Sequence, residues 1–417
     1  MSVTEMGPLA RPAAPTGGVD WAKDEHAVSI VGPDGEQIER FSVEHTAAGL
    51  RTLVRRLLRA GVDDVAIERP DGPVVEALRQ GGLSVYVIAP NQLKNLRSRY
   101  GSAGNKDDRF DAYVLADTLR TDRRRLRPLV PDTDQTVTLR MTCRARKDLV
   151  GHRIALANQL RAHLQLVFPG TVGLFHDLDS AISLRFLARF PSQDKADWLS
   201  PKRFDAWLRG AGYCGRKTGA ELHAHLGAAP RGASGPDSEA RAHITLALLA
   251  ALRAVSDQID ALVAQISEQL DLHPDAPIFQ SLPRSGTVRA ARLLAEIGDA
   301  RGRFPTPESL TCLAGVAPST RASGKVRSVT FRWAADKQLR DAVTDFAGDT
   351  RHANPWAADL YARAIARGHD HPHATRILAR AWLHIIWKCW QTNTPYDPSR
   401  HGALQTLLTQ QHHADAA

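Results

Sequence analysis

The chain has 417 residues, enough for two or three domains with a sizeable core, and its formal net charge of +9 favours a polyanionic partner. No apolar run approaches the length of a membrane-spanning helix, and residues 1–16 lack the basic and apolar regions of a signal peptide, so a cytoplasmic protein is the expectation. The four cysteines (Cys143, Cys214, Cys312, Cys389) form no CxxC pair and no metal-ligand spacing, as befits reduced thiols.

Residues 1–16, with Pro8, Pro12 and Pro15, read as a disordered leader. Three strands follow at 17–21, 26–31 and 36–43, the last two joined by a Pro33-Asp34-Gly35 turn. An amphipathic helix places Leu50, Leu53, Val54, Leu57 and Leu58 on one side and stops at Gly61. Residues 62–68 then read as a buried strand, 74–80 as a short helix closed by Gly81-Gly82, and 83–89 as a second buried strand ending at Pro90. Three meandering strands followed by helix, strand, helix, strand is the order of an RNase-H-like (RuvC-like) α/β fold with a mixed sheet. A further helix from 107 to about 120 carries Val114, Leu115 and Leu119 on its apolar side, and Pro128 and Pro131 end a first domain of 17–130.

Two long helices bracket a middle region of 131–275. Leu156, Leu160, Leu164 and Val167 mark the first; Leu248, Leu252, Val255, Ile259, Leu262 and Ile266 form a heptad-like stripe on the second. The stripe suits core packing and an intermolecular coiled coil equally. Residues 170–235 between them read as an irregular helical insert, and 276–400 as a mainly helical C-terminal domain before a tail at 401–417. Pro283-Arg284-Ser285-Gly286 loosely matches a phosphate-gripping hairpin between helices, with an ordinary turn as the default. Ala322-Ser323-Gly324-Lys325-Val326-Arg327 reads as a basic loop, and Trp382, Trp387 and Trp390 as core.

The chemistry lies in four carboxylates. Asp20 ends the first strand and Glu68 the strand at 62–68; Asp108 and Asp111, spaced i and i+3, share one face of a helix. Acids at the carboxyl ends of strands and on one helix face can converge on two divalent cations about 3.5–4 Å apart, which points to nucleic-acid strand chemistry. Without Asp111 beside it, Asp108 would also admit the lesser reading of a helix cap. Arg120, Arg123, Arg124, Arg125 and Arg127 form either a solvated helix end or a phosphate-binding patch, and the histidines of 369–373 a polar loop rather than a metal site.

Four signatures in order resemble the insertion-sequence transposases of the "one-ten" family, also called DEDD transposases and bridge-RNA-guided recombinases. They are Val19-Asp20-Trp21-Ala22-Lys23-Asp24-Glu25-His26; Ile67-Glu68 leading to Gly72; Ile88-Ala89-Pro90-Asn91-Gln92-Leu93-Lys94 followed by Lys106-Asp107-Asp108-Arg109-Phe110-Asp111-Ala112; and, C-terminally, Ala295-Glu296-Ile297-Gly298-Asp299, Leu313-Ala314-Gly315-Val316-Ala317-Pro318 and Ser323-Gly324. The resemblance covers nearly the whole chain after the leader. It implies that Asp20, Glu68, Asp108 and Asp111 hold Mg²⁺ (two ions, with Mn²⁺ as the alternative) in a RuvC-like domain, and that Ser323 is the nucleophile. It also implies donor and target DNA as substrates, a noncoding bridge RNA as guide, and a homo-oligomer, dimer or tetramer, acting in the bacterial cytoplasm at the nucleoid. Lys94, Lys106, Arg123, Arg124, Arg125, Lys325 and Arg327 are the candidate nucleic-acid contacts.

The chain departs from the family pattern where Asp107 replaces a usual threonine, where Asp71 follows Glu68 closely, and where Ser319, Thr320 and Ser328 flank Ser323. Two other readings stand beside the transposase. A RuvC-like junction nuclease would need the four acids but not Ser323, and an inactive nucleic-acid-binding relic would need neither.

Overall fold

The structure, a computed structural model, describes residues 14–100, 107–232, 237–323 and 326–415. The leader reading thus lies outside the described residues as far as position 13, and Thr16 already belongs to the first strand. The chain divides into two compact units, Met1–Pro131 and Asp132–Ala417.

The first unit is built on strands β1 (Thr16–Asp20), β2 (Glu25–Val31), β3 (Gln37–Glu44), β4 (Asp64–Ile67) and β5 (Ser84–Val87). Their spatial order is β3-β2-β1-β4-β5, with β1 antiparallel to β2 and parallel to β4, and β4 parallel to β5. This is the RNase-H-like mixed sheet. The β2–β3 turn depends on Gly35, whose φ of 96° lies in the left-handed region. Helix α1 (Ala47–Arg59) starts where the Thr46 hydroxyl accepts the Gly49 N–H at 3.0 Å. Helices α2 (Pro73–Gln80), α3 (Pro90–Arg97) and α4 (Asp108–Asp122) complete the unit.

Helix α3 is absent from the sequence reading, which ends a strand at Pro90. That proline instead occupies the first turn of the helix, where its missing N–H costs nothing. The two parallel strands are also shorter than read, so Glu68 falls just beyond β4.

The sheet is covered on both faces. Leu53 and Leu57 of α1 and Val74, Val75 and Leu78 of α2 pack on Val19, Ile30, Val65 and Ile67. On the other face Val114, Leu115 and Leu119 of α4 and Leu93 of α3 meet Ala66 and Tyr86. Helix α4 lies unusually close to β1. The Thr16 hydroxyl donates to the Ala116 carbonyl at 2.9 Å, and a Cβ built on Gly18 would stand 2.1 Å from the Ala112 oxygen and 2.6 Å from the Ala116 nitrogen.

The second unit begins with α5 (Asp134–Val167), followed by α6 (Ala181–Arg189), α7 (Gln193–Ala196), α8 (Pro201–Gly210) and α9 (Gly219–Ala228), then α10 (Ser238–Asp271). Helices α5 and α10 run antiparallel. Thr136 Oγ1 meets His273 Nε2 at 2.8 Å at one end, and His163 Nε2 meets Thr245 Oγ1 at 3.0 Å toward the other. Leu252, Ile259 and Ile266, seven residues apart, are buried within the chain, while Leu248, Val255 and Leu262 of the same stripe are half-buried. The expected irregular insert is four helices around Phe168, Phe186 and Phe204.

The remainder comprises α11 (Ala276–Gln280), α12 (Gly286–Ile297), α13 (Pro307–Leu313), the hairpin β6 (Ser319–Ser323) and β7 (Val326–Thr330), then α14 (Lys337–Thr350), α15 (Pro355–Ala366), α16 (His371–Gln391) and α17 (Gly402–Asp415). The basic loop read at 322–327 is thus the end of a two-stranded hairpin, an outcome suited to Val326, Val329 and Thr330. Trp382 and Trp390 are fully buried. At the 283–286 turn, Arg284 has a φ of 58° and its Nε donates to Asp349 at 2.9 Å, so that guanidinium is held by a carboxylate of α14. Among the described residues no helix is long and apolar enough to cross a membrane.

Two outcomes follow. Gly18→Ala drives a methyl group into the backbone of α4; overpacking of this kind costs about 1–3 kcal/mol. Urea unfolding should show that loss together with weakened divalent-ion binding. His273, buried, has its pKa pushed below the ordinary 6.5 by desolvation, against smaller opposing effects of Asp275 and Asp299. Its Nδ1 accepts the Asp275 N–H at 3.1 Å, which leaves no room for a second ring proton there. The neutral form is the folded form, so the unfolded chain binds more protons just below pH 6.5. Stability is therefore full above that pH and declines as pH falls toward the lowered pKa. Thermal melting should decline less over that window in His273→Gln.

Candidate metal centre

Strand pairing brings the first two acids together. Because β1 and β4 are parallel neighbours with Val19 beside Ile67, the next residue of each, Asp20 and Glu68, leaves the sheet on the same side. Helix α4 runs antiparallel to β1, with Ala116 over Thr16, so its first turn arrives at that same carboxyl end. There Asp108 and Asp111 face the strand ends. One carboxylate oxygen from each of Asp20, Asp108 and Asp111 lies within 4.8 Å of the others. Glu68 stands outside this tight group of three but lines the same cavity, of about 410 Å³, with Asn91, Lys94 and Arg97.

Asp20 and Asp111 are buried, at 7% and 1% exposure. Two carboxylates about 5 Å apart repel by roughly 3 kcal/mol at an effective dielectric near 20, so three together need positive charge. The protein supplies part of it. Arg97 of α3 grips both oxygens of Asp111 through Nε and Nη2. The amino end of α4 adds its partial positive charge. The donors are hard oxygens, the set that suits Mg²⁺ or Mn²⁺ rather than a soft metal. The residues present therefore fit a divalent pair.

The neighbouring acids have other work. Asp107 caps α4, its carboxylate accepting the Arg109 N–H at 3.0 Å, and Asp71 pairs with Arg69 at 3.0 Å. Neither lines the cavity. Arg69 also lies over the Trp21 ring, 4.5 Å from its centre, at the cavity wall.

The basic candidates divide. Lys94 lines the acid cavity. Arg123, Arg124 and Arg125 form a short 3-10 turn at the far end of α4, about 22 Å from Asp108 along a 15-residue helix. Arg123 is paired there with Asp64 at 2.7 Å, and Arg125 with Asp122 at 3.5 Å. Lys106 and Lys325 lie outside the described residues, as does the side chain of Arg327. Ser323 is the exposed last residue of β6, in the second unit. Arg97 escaped the sequence reading because it is placed by α3. Its signal is Lys94 and Arg97 at i and i+3 after a helix-starting proline, with Leu93 turned inward.

An RNase-H-like sheet with acids gathered at the carboxyl ends of two adjacent parallel strands defines a nucleic-acid-processing class of protein. Comparison with known proteins narrows the class. Residues 17–169 match the DEDD group of IS110 elements, described as transposase, and residues 276–362 match the transposases of the IS116/IS110/IS902 family. A protein assigned as the mini-circle transposase for IS117 in Streptomyces coelicolor is 33% identical over 395 residues, covering 92% of this chain and 95% of that protein. The uncharacterized 43.6 kDa protein of insertion element IS110, from the same organism, is 27% identical over 91% of this chain and 95% of its own length. The chain belongs to the IS116/IS110/IS902 family of transposases. Among solved structures, T. thermophilus RuvC in complex with a Holliday junction substrate aligns at 16% identity with a TM-score of 0.23, over 28% of this chain and 99% of that one. The fold assignment rests on the strand order instead.

Arg97→Ala would strand Asp111 as a buried carboxylate without its cation, a change that typically costs about 3–5 kcal/mol. Melting without divalent ions should show that loss, and millimolar Mg²⁺ should restore more stability to the variant than to the parent chain.

Proposed function

We propose that this transposase cuts and rejoins DNA strands of an insertion sequence with divalent ions held by Asp20, Glu68, Asp108 and Asp111 and with Ser323 as nucleophile. In this reading it works as a homo-oligomer directed by a noncoding bridge RNA. The observation that carries the metal part is the meeting of three carboxylates within 4.8 Å. When bound, two divalent ions polarise the scissile phosphate and spread the charge that develops on it.

A serine hydroxyl is a weak nucleophile until its proton is removed. Ser323 Oγ gives up that proton and forms an Oγ–P bond, while the bond from phosphorus to the leaving strand's oxygen breaks and that oxygen takes a proton. The phosphoserine ester keeps the bond energy, so attack by a strand hydroxyl reseals the DNA and releases the serine. In this reading Lys94, which lines the acid cavity, holds a phosphate oxygen.

The hairpin register supports Ser323 over its neighbours. Ser319 pairs with Thr330 at the closed base, Thr320 with Val329, and Ser328 with Arg321, whereas Ser323 stands in the last pair before the tip; Thr320 and Ser328 are as exposed as Ser323, so position alone separates them. RNA guidance is supported by the family resemblance and by the net charge of +9, and would leave the protein to read backbone and shape. One observation favours a hydrolytic junction nuclease as a second reading: among the described residues, the grouped acids Asp20, Asp108 and Asp111 all belong to the first unit.

The test incubates purified protein with Mg²⁺, the element's flanking RNA and labelled donor and target DNA, and resolves products on denaturing gels. Protein–DNA adducts and recombined strands should disappear in both Ser323→Ala and Asp108→Ala and should require the RNA. Cleavage that survives Ser323→Ala but not Asp108→Ala selects the nuclease.

A further inference from the structure

The half-buried arginines of the second unit mostly have a carboxylate partner. Arg140 pairs with Asp132, Arg144 with Glu296, Arg292 with Asp341, and Arg301 with Asp275. Around Phe331 the pattern breaks. Among the described residues, no carboxylate lies within 4.0 Å of Arg332, Arg340, Arg376 or Arg380. The guanidinium carbons of Arg340 and Arg376 stand 4.7 and 4.9 Å from the centre of the Phe331 ring. The Nε atoms of Arg332 and Arg340 are buried without a hydrogen-bond partner.

Arg332, Arg376 and Arg380 open onto a cavity of about 600 Å³ that also holds Phe331 and the His369–His373 pair, whose ring centres are 4.2 Å apart; no acidic side chain lines it. The nearby Asp370 is engaged elsewhere, accepting the His373 N–H at 2.9 Å as the cap of α16. Asp370 and Glu308 act on Arg376 and Arg380 only from beyond ion-pair distance, so the clustered guanidiniums still repel one another and leave donors unmet, a cost that a bound anion relieves. The planar forks of arginine match phosphate oxygens, and aromatic and imidazole rings accept bases by stacking.

We propose that this cavity binds the phosphodiester backbone of a DNA strand and sets its register for the strand-transfer reaction. The inference rests on the serine reading for its meaning, though not for its measurement. Val329 and Thr330 of β7 form one wall, paired with Thr320 and Ser319 at the base of the hairpin. Ser323 lies four residues farther along β6, about 13 Å at roughly 3.3 Å per residue. At about 3.4 Å of axial rise per nucleotide, the clamped phosphate is about four steps from the one attacked.

The experiment measures fluorescence anisotropy of the full chain on a labelled DNA duplex of the element end, in EDTA, over a salt series. Each lost phosphate contact should flatten the plot of log affinity against log salt by about 0.9. Arg376→Gln/Arg380→Gln should flatten it by about two contacts and weaken binding about ten-fold or more, while Arg376→Lys/Arg380→Lys keeps the slope. Arg380→Gln alone, an exposed change that folding tolerates, should remove about one contact. A parental slope in Arg380→Gln and in a normally melting double variant overturns the proposal. So does a slope that flattens for RNA of the same sequence but not for DNA. Covalent adducts play no part in this readout, so failure of the serine assignment and failure of the clamp remain separate results.

Discussion

The approach of α4 to β1 governs the first unit. With hydrogen in place of a side chain at Gly18, the backbone of Ala112 and Ala116 settles directly on the strand, and the Thr16 hydroxyl fastens the far end of the contact. Helix direction and height are then determined together. The first turn of α4 reaches the carboxyl end of β1 at the level where Asp20 and Glu68 emerge. Any larger residue at position 18 would lift the helix and open the group of acids. A steric condition on one glycine therefore underlies an electrostatic arrangement several residues away.

The handling of charge distinguishes structural from functional groups. Most arginines in the interior of either unit have a carboxylate, as Arg120 has Asp117 and Arg140 has Asp132. Two places stand out. Three carboxylates crowd together at the end of the first sheet, where Arg97 grips Asp111. Around Phe331 in the second unit, guanidiniums gather with no carboxylate within 4.0 Å among the described residues. One cluster suits divalent cations and the other a polyanion.

Much of the first unit was legible in the sequence because its strands and helices carry strong periodic signals. The three meandering strands, the amphipathic α1 and the helix bearing Asp108 and Asp111 all follow from alternation or from three- and four-residue spacing. Helix α3 did not, since its eight residues include one buried position, Leu93, too few for a period to register. Arg97 was lost with it. The hairpin at Ser323 was read as a loop because its five-residue strands are short and polar, and their pairing is a fact of register rather than composition. The four unpaired arginines near Phe331 come from positions 332 to 380 and form no pattern along the chain.

The sequence by itself determined the class of fold and the family, and it singled out the four acids as candidates, because strand order, residue type and local spacing are written along the chain. Tertiary structure alone decided which acids meet most closely. It placed Asp20, Asp108 and Asp111 together with Glu68 at the margin, turned Asp107 into a cap, and removed the arginines at 123–125 to the far end of α4. It also decided that every second member of the α10 stripe, Leu252, Ile259 and Ile266, is buried within the same chain. The reason is physical: side-chain chemistry is local, but electrostatic energy depends on separation in space, and separation is set by how helices and strands pack.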